Sequence, residues 1–162
     1  DEQNKEVDSR YVNLKYIDEM EWTFFTNYSS PKANQFDTHP QISAVIYWEK
    51  IDCQIRIKAN IKKSSQDFSN LHFKKRSVKK NALAISSDQS KKIDSFKTIE
   101  TNYKDTLKEI DAIGQFKRPE NWGGYTFIPY YFEFWEGHKY RINKREAYEF
   151  KNDHWDTYIM QP

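Results

Sequence analysis

Apolar positions alternate with polar ones through much of this chain. In CQIRIKANIKK, residues 53–63, Ile55, Ile57, Ala59 and Ile61 fall on one side and Gln54, Arg56, Lys58 and Asn60 on the other. That is the pattern of a half-buried strand. ISAVIYW, residues 42–48, is a nearly continuous apolar run and predicts a strand buried on both faces. RYVNLKYI and WTFFTN predict two short strands separated by the acidic turn DEME, and GGYTFIP, YYFEFWE, EAYEFKN and HWDTYIM predict four more.

The period changes in three places. Phe96, Ile99, Tyr103, Leu107 and Ile110 are spaced as one face of an amphipathic helix. SSPKANQFD offers Ser29 and Ser30 as caps, Pro31 near the first turn and Lys32 just inside it. SSQDFSNLHFKKRS predicts a further short helix with Phe68 and Leu71 buried. The pattern predicts a mainly β protein, a barrel decorated by a few helices, forming a single domain over residues 1–162.

Composition narrows the chemistry. Aromatic residues make up 17% of the chain and offset an apolar content of 37%, so a packed core is expected. Cys53 is the one cysteine, which removes an intrachain disulfide and any cysteine-rich zinc site. The four histidines, His39, His72, His138 and His154, have no metal-ligand spacing, and no metal is expected. Four glycines, Gly114, Gly123, Gly124 and Gly137, cannot be arranged as a P-loop or a dinucleotide-binding turn. Gly123 and Gly124 read as a bulge or a close strand approach.

A net charge of +2 gives no field suited to nucleic acid, although HFKKRSVKK is locally basic. No apolar run is long enough to span a bilayer and no signal peptide is evident, so a cytoplasmic protein is expected. The chain opens on DEQNKEVDSR without methionine, and further natural sequence is expected upstream.

Several blocks, in order, resemble the pyridoxamine 5′-phosphate oxidase family: RYVNLK, FFTNYSSPKANQ, Pro40 to Trp48 as P-x-x-x-A-x-x-x-W, CQIRI, DQS, WGGY, EFWEG, RINKR and the terminal MQP. They run from residue 10 to residue 162. The resemblance implies an FMN-binding split β-barrel, a homodimer with flavin at the subunit interface, and an N-terminal helix and first strand upstream of residue 1. It implies FMN contacts from Arg10, Lys15, Phe25, Thr26, Lys32, Gln54, Gln89, Ser90, Trp135 and Arg145. Taken singly, Lys32 reads equally as a solvated helix lysine and Trp135 as a core aromatic. Pro31 and Cys53 stand where the family usually has arginine.

On the substrate side the resemblance implies Lys15, His72, Arg76, Lys80, Arg141 and Asn143, with Arg141 and Asn143 nearest the reacting carbon. Three of these depart from the pattern. His72 replaces a tyrosine, Lys80 a serine, and Asn143 the histidine of an R-x-H motif. Asparagine can hydrogen-bond but cannot titrate. Lys15, Arg76 and Lys80 would still supply cations to a phosphate, although Lys79 and Lys80 also read as part of a solvated basic run.

The implied reaction is oxidation of pyridoxamine or pyridoxine 5′-phosphate to pyridoxal 5′-phosphate, with hydride passing to flavin N5 and dioxygen becoming hydrogen peroxide. The alternatives are an FMN oxidase of another substrate, as in phenazine biosynthesis, and a non-catalytic flavin- or pyridoxal-phosphate-binding protein.

Overall fold

A computed structural model describes residue 5 and residues 7–162. The first residues of the domain expected over 1–162 lie outside the described ones. In chain order the elements are β1 (Leu14–Asp18), β2 (Glu21–Asn27), α1 (Pro31–Thr38), β3 (Gln41–Trp48), β4 (Cys53–Lys63), α2 (Gln66–Lys75), α3 (Val78–Ser86), α4 (Phe96–Ile113), β5 (Trp122–Glu136), β6 (Lys144–Lys151) and β7 (His154–Ile159).

All strand pairings are antiparallel, in the order β1-β2-β5-β4-β3, with β6 on β5 and β7 on β6. β5 organises the sheet. Its first half pairs with β2, from Trp22↔Phe127 to Asn27↔Trp122, and its second half with β6, from Tyr131↔Glu149 to Glu136↔Lys144. Along its other edge β5 pairs with the whole of β4. The core lies under these strands: Phe24, Ala33, Cys53, Ile55, Ile57, Ala59, Ile61, Tyr125 and Phe127. The alternation in β4 is therefore as its sequence predicts.

GGYTFIP and YYFEFWE form one strand and not two. Pro129 has no N–H to donate, which suggests a break. It falls between the segments bonded to β2 and β6, beside a register shift at Lys58/Ala59, so the missing donor is absorbed by an irregularity. The run at 42–48 is not buried on both faces. β3 is a sheet edge, and Val45, Tyr47 and Trp48 are 62%, 59% and 53% exposed.

The strand expected from residue 10 begins only at Leu14, with Tyr11 and Val12 exposed before it. In α2 the buried residues are Ser69 and Phe73; Phe68 is half-buried and Leu71 exposed. α3 lies within and beyond the basic run. Its buried positions are Asn81 and Ala82, one polar and one small, so it carries no clear apolar period. α4 begins at Ser95, whose hydroxyl accepts from the Thr98 N–H, and ends at Gly114 in the left-handed region.

Candidate functional site

Among the described residues one lysine is buried. Lys32, in the first turn of α1, is 6% exposed. Its ammonium donates to Thr26 Oγ1 at 3.1 Å, Ser30 Oγ at 3.1 Å and Gln89 Oε1 at 3.5 Å. Every one of these partners is a neutral oxygen. Among the described residues no carboxylate pairs with it, and burial, then the nearby charge of Arg10, lowers its pKa.

The cradle is held by its own bonds: Thr26 Oγ1 donates to Gln89 Oε1 at 3.0 Å, Asn27 N–H to the same oxygen at 3.3 Å, and Ser30 Oγ to the Asn27 carbonyl at 2.7 Å. Ser30 occupies the N-cap position, but its hydroxyl makes no cap bond, which leaves it to the lysine. A buried ammonium beside a second cation, among hydroxyls and without a counter-ion, suits an anionic group brought by a ligand.

Next to this cradle lies a cleft lined by Phe25, Thr26, Arg76, Lys80, Gln89 and Trp122, with Asn27, Leu83, Ala84 and Ser87 completing its wall. Arg76 lies over the Trp122 ring, its guanidinium carbon 4.4 Å from the centroid. Its Nη2 donates to the Lys80 carbonyl at 3.1 Å, while Nη1 is buried with no partner among the described residues. An unpaired buried guanidinium nitrogen is costly and marks a place for an acceptor. Burial also lowers the pKa of Arg76.

One turn before Arg76, the His72 ring stacks on Phe25 at 3.7 Å with an interplanar angle of 9°. Its Nδ1 is 2.8 Å from the Tyr16 hydroxyl. Burial, followed by Arg76, Lys15 and Lys75, pushes the imidazole down to about 4. The chain approaches closely here because Gly123 and Gly124 carry no side chain; a Cβ on Gly124 would lie 2.6 Å from Ser64 Oγ and 3.1 Å from Phe25 Cε1.

The remaining expected residues lie elsewhere. Gln54 and Trp135 pair across β4 and β5, and Trp135 and Arg145 across β5 and β6. Arg145 Nε and Nη2 bond Glu133 Oε1 at 2.9 and 2.8 Å. Arg141 sits in the loop between β5 and β6 with φ of 63°, and the Asn143 side-chain oxygen accepts from the His138 N–H at 3.0 Å. Phe25 pairs with Gly124, and Trp135 lies further along the same strand. The two groups are separated along β5 by at most roughly 35 Å of extended chain.

Within one chain, then, Phe25, Thr26, Lys32, Gln89, His72, Arg76 and Lys80 come together, with Arg10 and Lys15 near by. Gln54, Trp135, Arg145, Arg141 and Asn143 form a second group at the far end of β5. Ser90 is exposed, with φ of 71°, next to Gln89 but outside the cleft lining. Sequence reasoning named Ser30 only as a helix cap and did not single out Trp122 or Tyr16. Trp122 stood inside the quoted WGGY block, and Tyr16 directly follows Lys15.

Known proteins resemble this chain in sequence and fold. Residues 122–162 match the family model described as the pyridoxine 5′-phosphate oxidase C-terminal dimerisation region. A pyridoxine/pyridoxamine 5′-phosphate oxidase from Thermosynechococcus vestitus is 33% identical over 156 residues, which cover 95% of this chain and 72% of that protein.

Among solved structures, PhzG from Burkholderia lata, in complex with tetrahydrophenazine-1-carboxylic acid, superposes with a TM-score of 0.88 at 25% identity over 98% of this chain and 77% of the other. A pyridoxamine 5′-phosphate oxidase-related, FMN-binding protein from Nostoc punctiforme gives a TM-score of 0.71 at 16% identity over 94% and 79%, a likeness of fold. The chain belongs to the pyridoxine/pyridoxamine 5′-phosphate oxidase family of oxidase-like flavoproteins, with the split-barrel fold and FMN as cofactor.

Proposed function

We propose that this protein oxidises pyridoxamine or pyridoxine 5′-phosphate to pyridoxal 5′-phosphate at an FMN held between two copies of the chain. The observation that carries this reading is a pair of cations without anionic partners among the described residues: Lys32 in its buried cradle, and Arg76 in the wall of the adjoining cleft. Two anion sites that close together suit a flavin phosphate and a phosphorylated substrate.

Lys32 would hold the flavin phosphate with Thr26, Ser30 and the charge of Arg10, and Gln89 keeps the cradle in shape. Arg76, Lys80 and Lys15 would hold the substrate phosphate. Arg76 is the best placed, because Trp122 fixes its plane and one nitrogen is left open. When bound, FMN supplies the two-electron acceptor for the carbon bearing the amine or alcohol, with dioxygen leaving as hydrogen peroxide and the amine released as ammonia after addition of water.

The second group of residues supports a homodimer. A site needing both groups cannot close within one chain when they lie at opposite ends of β5, whereas a second copy can bring Gln54, Trp135, Arg145, Arg141 and Asn143 to the cleft. The exposed apolar edge of β3 and the matched dimerisation region also favour that assembly. Ser90, adjoining Gln89, would complete the flavin contacts. Among the described residues no helix is long and apolar enough to cross a membrane, in keeping with a small-molecule enzyme of the cytoplasm.

A second reading retains FMN and takes a carboxylated ring without phosphate. The likeness to PhzG and the replacements at His72, Lys80 and Asn143 favour it; the cations at Arg76 and Lys80 favour the phosphate. The deciding experiment is aerobic turnover of pyridoxamine and pyridoxine 5′-phosphate by FMN-loaded protein, following product absorbance and peroxide. Equal amounts of pyridoxal 5′-phosphate and peroxide are expected. A yellow protein that gives neither would reject oxidation of these phosphorylated vitamers and leave the carboxylated-ring reading.

A further inference from the structure

We propose that Tyr16 is a positioning residue for the substrate anion: its hydroxyl donates to Nδ1 of His72 and holds that ring as the Nε2–H tautomer, a neutral donor beside the cleft. The inference rests on the reading of the cleft as the substrate site.

β1 makes the contact possible. Its register against β2 slips between Leu14 and Tyr16, so Lys15 is an extra residue in the strand. In a regular strand neighbouring side chains point to opposite faces, but a bulge re-aims one of them. Here both residues act on α2: the charge of Lys15 reaches His72, and the Tyr16 hydroxyl lies 2.8 Å from its Nδ1. The Tyr16 ring is also packed in place, with centroids 5.2 Å from Phe68 and 5.4 Å from His72.

The groups acting on His72 are Tyr16 and Lys15 from β1, Phe25 from β2, Trp122 from β5, and Arg76 and Lys75 from α2 and its end. None is a carboxylate, and the three cations disfavour an imidazolium. A neutral imidazole has one donor and one acceptor. If Nδ1 accepts from Tyr16, the proton is on Nε2. The opposite tautomer would offer a lone pair in place of that donor, next to the charge of Arg76, and would repel the anion that Arg76 attracts. The tyrosine–histidine pair thus presents a neutral, directional hydrogen-bond donor.

The test uses FMN-loaded protein. Long-range proton–nitrogen NMR, with His72 assigned by comparison with His72→Gln, should show the Nε2–H pattern at neutral pH. Tyr16→Phe, which keeps the packed ring, should shift the ring toward a tautomer mixture. The anaerobic Kd for pyridoxamine 5′-phosphate should rise about five- to tenfold, as for loss of one hydrogen bond. Adding His72→Tyr to Tyr16→Phe should restore the affinity.

A wild-type Nδ1–H or doubly protonated ring overturns the proposal, as does a Tyr16→Phe variant that leaves tautomer and Kd unchanged. Failure of the wild-type protein to bind pyridoxamine 5′-phosphate overturns both this and the substrate assignment. Binding without turnover overturns the oxidase assignment alone.

Discussion

Arg145 clamps Glu133 from the next strand, with Nε and Nη2 at 2.9 and 2.8 Å from the same oxygen, Oε1. The other oxygen takes Arg56 Nη1 at 2.9 Å and the Tyr131 hydroxyl at 3.1 Å. Glu133 is 2% exposed, so this carboxylate is fully committed, and it fixes the rotamer of an arginine proposed to meet the flavin.

Glu133→Gln should therefore destabilise the protein by about 3 kcal/mol at neutral pH, because two arginines lose their counter-charge. Burial by itself would raise the Glu133 pKa. The bonds from Arg145 and Tyr131 and the charges of Arg56 and Arg145 outweigh it and hold the value below 4.5. A depressed carboxylate contributes its stability above the unfolded value and loses it as pH falls through the folded one. Denaturant titrations should show the gap between wild type and variant closing as the pH drops below 4.5.

Lys32→Met should separate stability from binding. In the ligand-free protein the buried ammonium is disfavoured, so methionine should stabilise it by about 1 kcal/mol or more. The same change should remove most FMN affinity, read by quenching of flavin fluorescence. A lowered lysine pKa makes wild-type stability rise with pH between the folded value and 10.5, since only the unfolded chain still holds the proton there. The variant should lack that rise. A lysine placed for fold stability alone would give the reverse result at the first measurement.

The sequence made β4, α4 and the cradle of α1 legible because each has a local signature: alternation, a helical period, or Ser-Ser-Pro-Lys at a helix start. What it could not convey is set by neighbours. The run at 42–48 is an apolar sheet edge with exposed side chains, and its two faces are not both covered within the chain. Asn81 is buried by packing against α2, where its Nδ2 donates to the Phe73 carbonyl at 2.9 Å, and no periodicity announces that. The candidate site residues come from the resemblance, and their division between the two ends of β5 follows from strand pairing and length, which only the fold supplies.

The loop after β5 offers a test of Asn143. Its Oδ1 accepts from His138 N–H at 3.0 Å, while Arg141 N–H donates to the His138 carbonyl at 2.8 Å. These bonds hold Arg141 at φ of 63°, a region that costs a branched-free side chain about 1 kcal/mol. Asn143→Asp keeps the acceptor and should leave the loop ordered. Asn143→Ala should lower kcat for the phosphorylated vitamers severalfold with FMN affinity intact. Asn143→His trades the loop bond for a titratable ring; a change in turnover and in its pH profile is expected, and unchanged kinetics would count against any role for Asn143 at the reacting carbon.

Two glycines separate space from backbone. Gly124 lies against Ser64 and Phe25, and a methyl there would lie 2.6 Å from Ser64 Oγ, 3.0 Å from its Cβ and 3.1 Å from Phe25 Cε1. Gly114 ends α4 at φ of 68° with nothing within 4 Å of the same methyl. Gly114→Ala should therefore cost about 1 kcal/mol through backbone strain and leave ligand binding unchanged. Gly124→Ala should cost about 1–3 kcal/mol through overpacking. It should also displace Phe25, which lines the cleft and stacks on His72, so FMN affinity and the Kd for pyridoxamine 5′-phosphate should both weaken. Measuring thermal stability and both affinities on the two variants separates the effects: equal stability losses with unequal binding losses would place Phe25 in the binding wall, whereas unaltered binding in Gly124→Ala would show that its ring can shift without consequence.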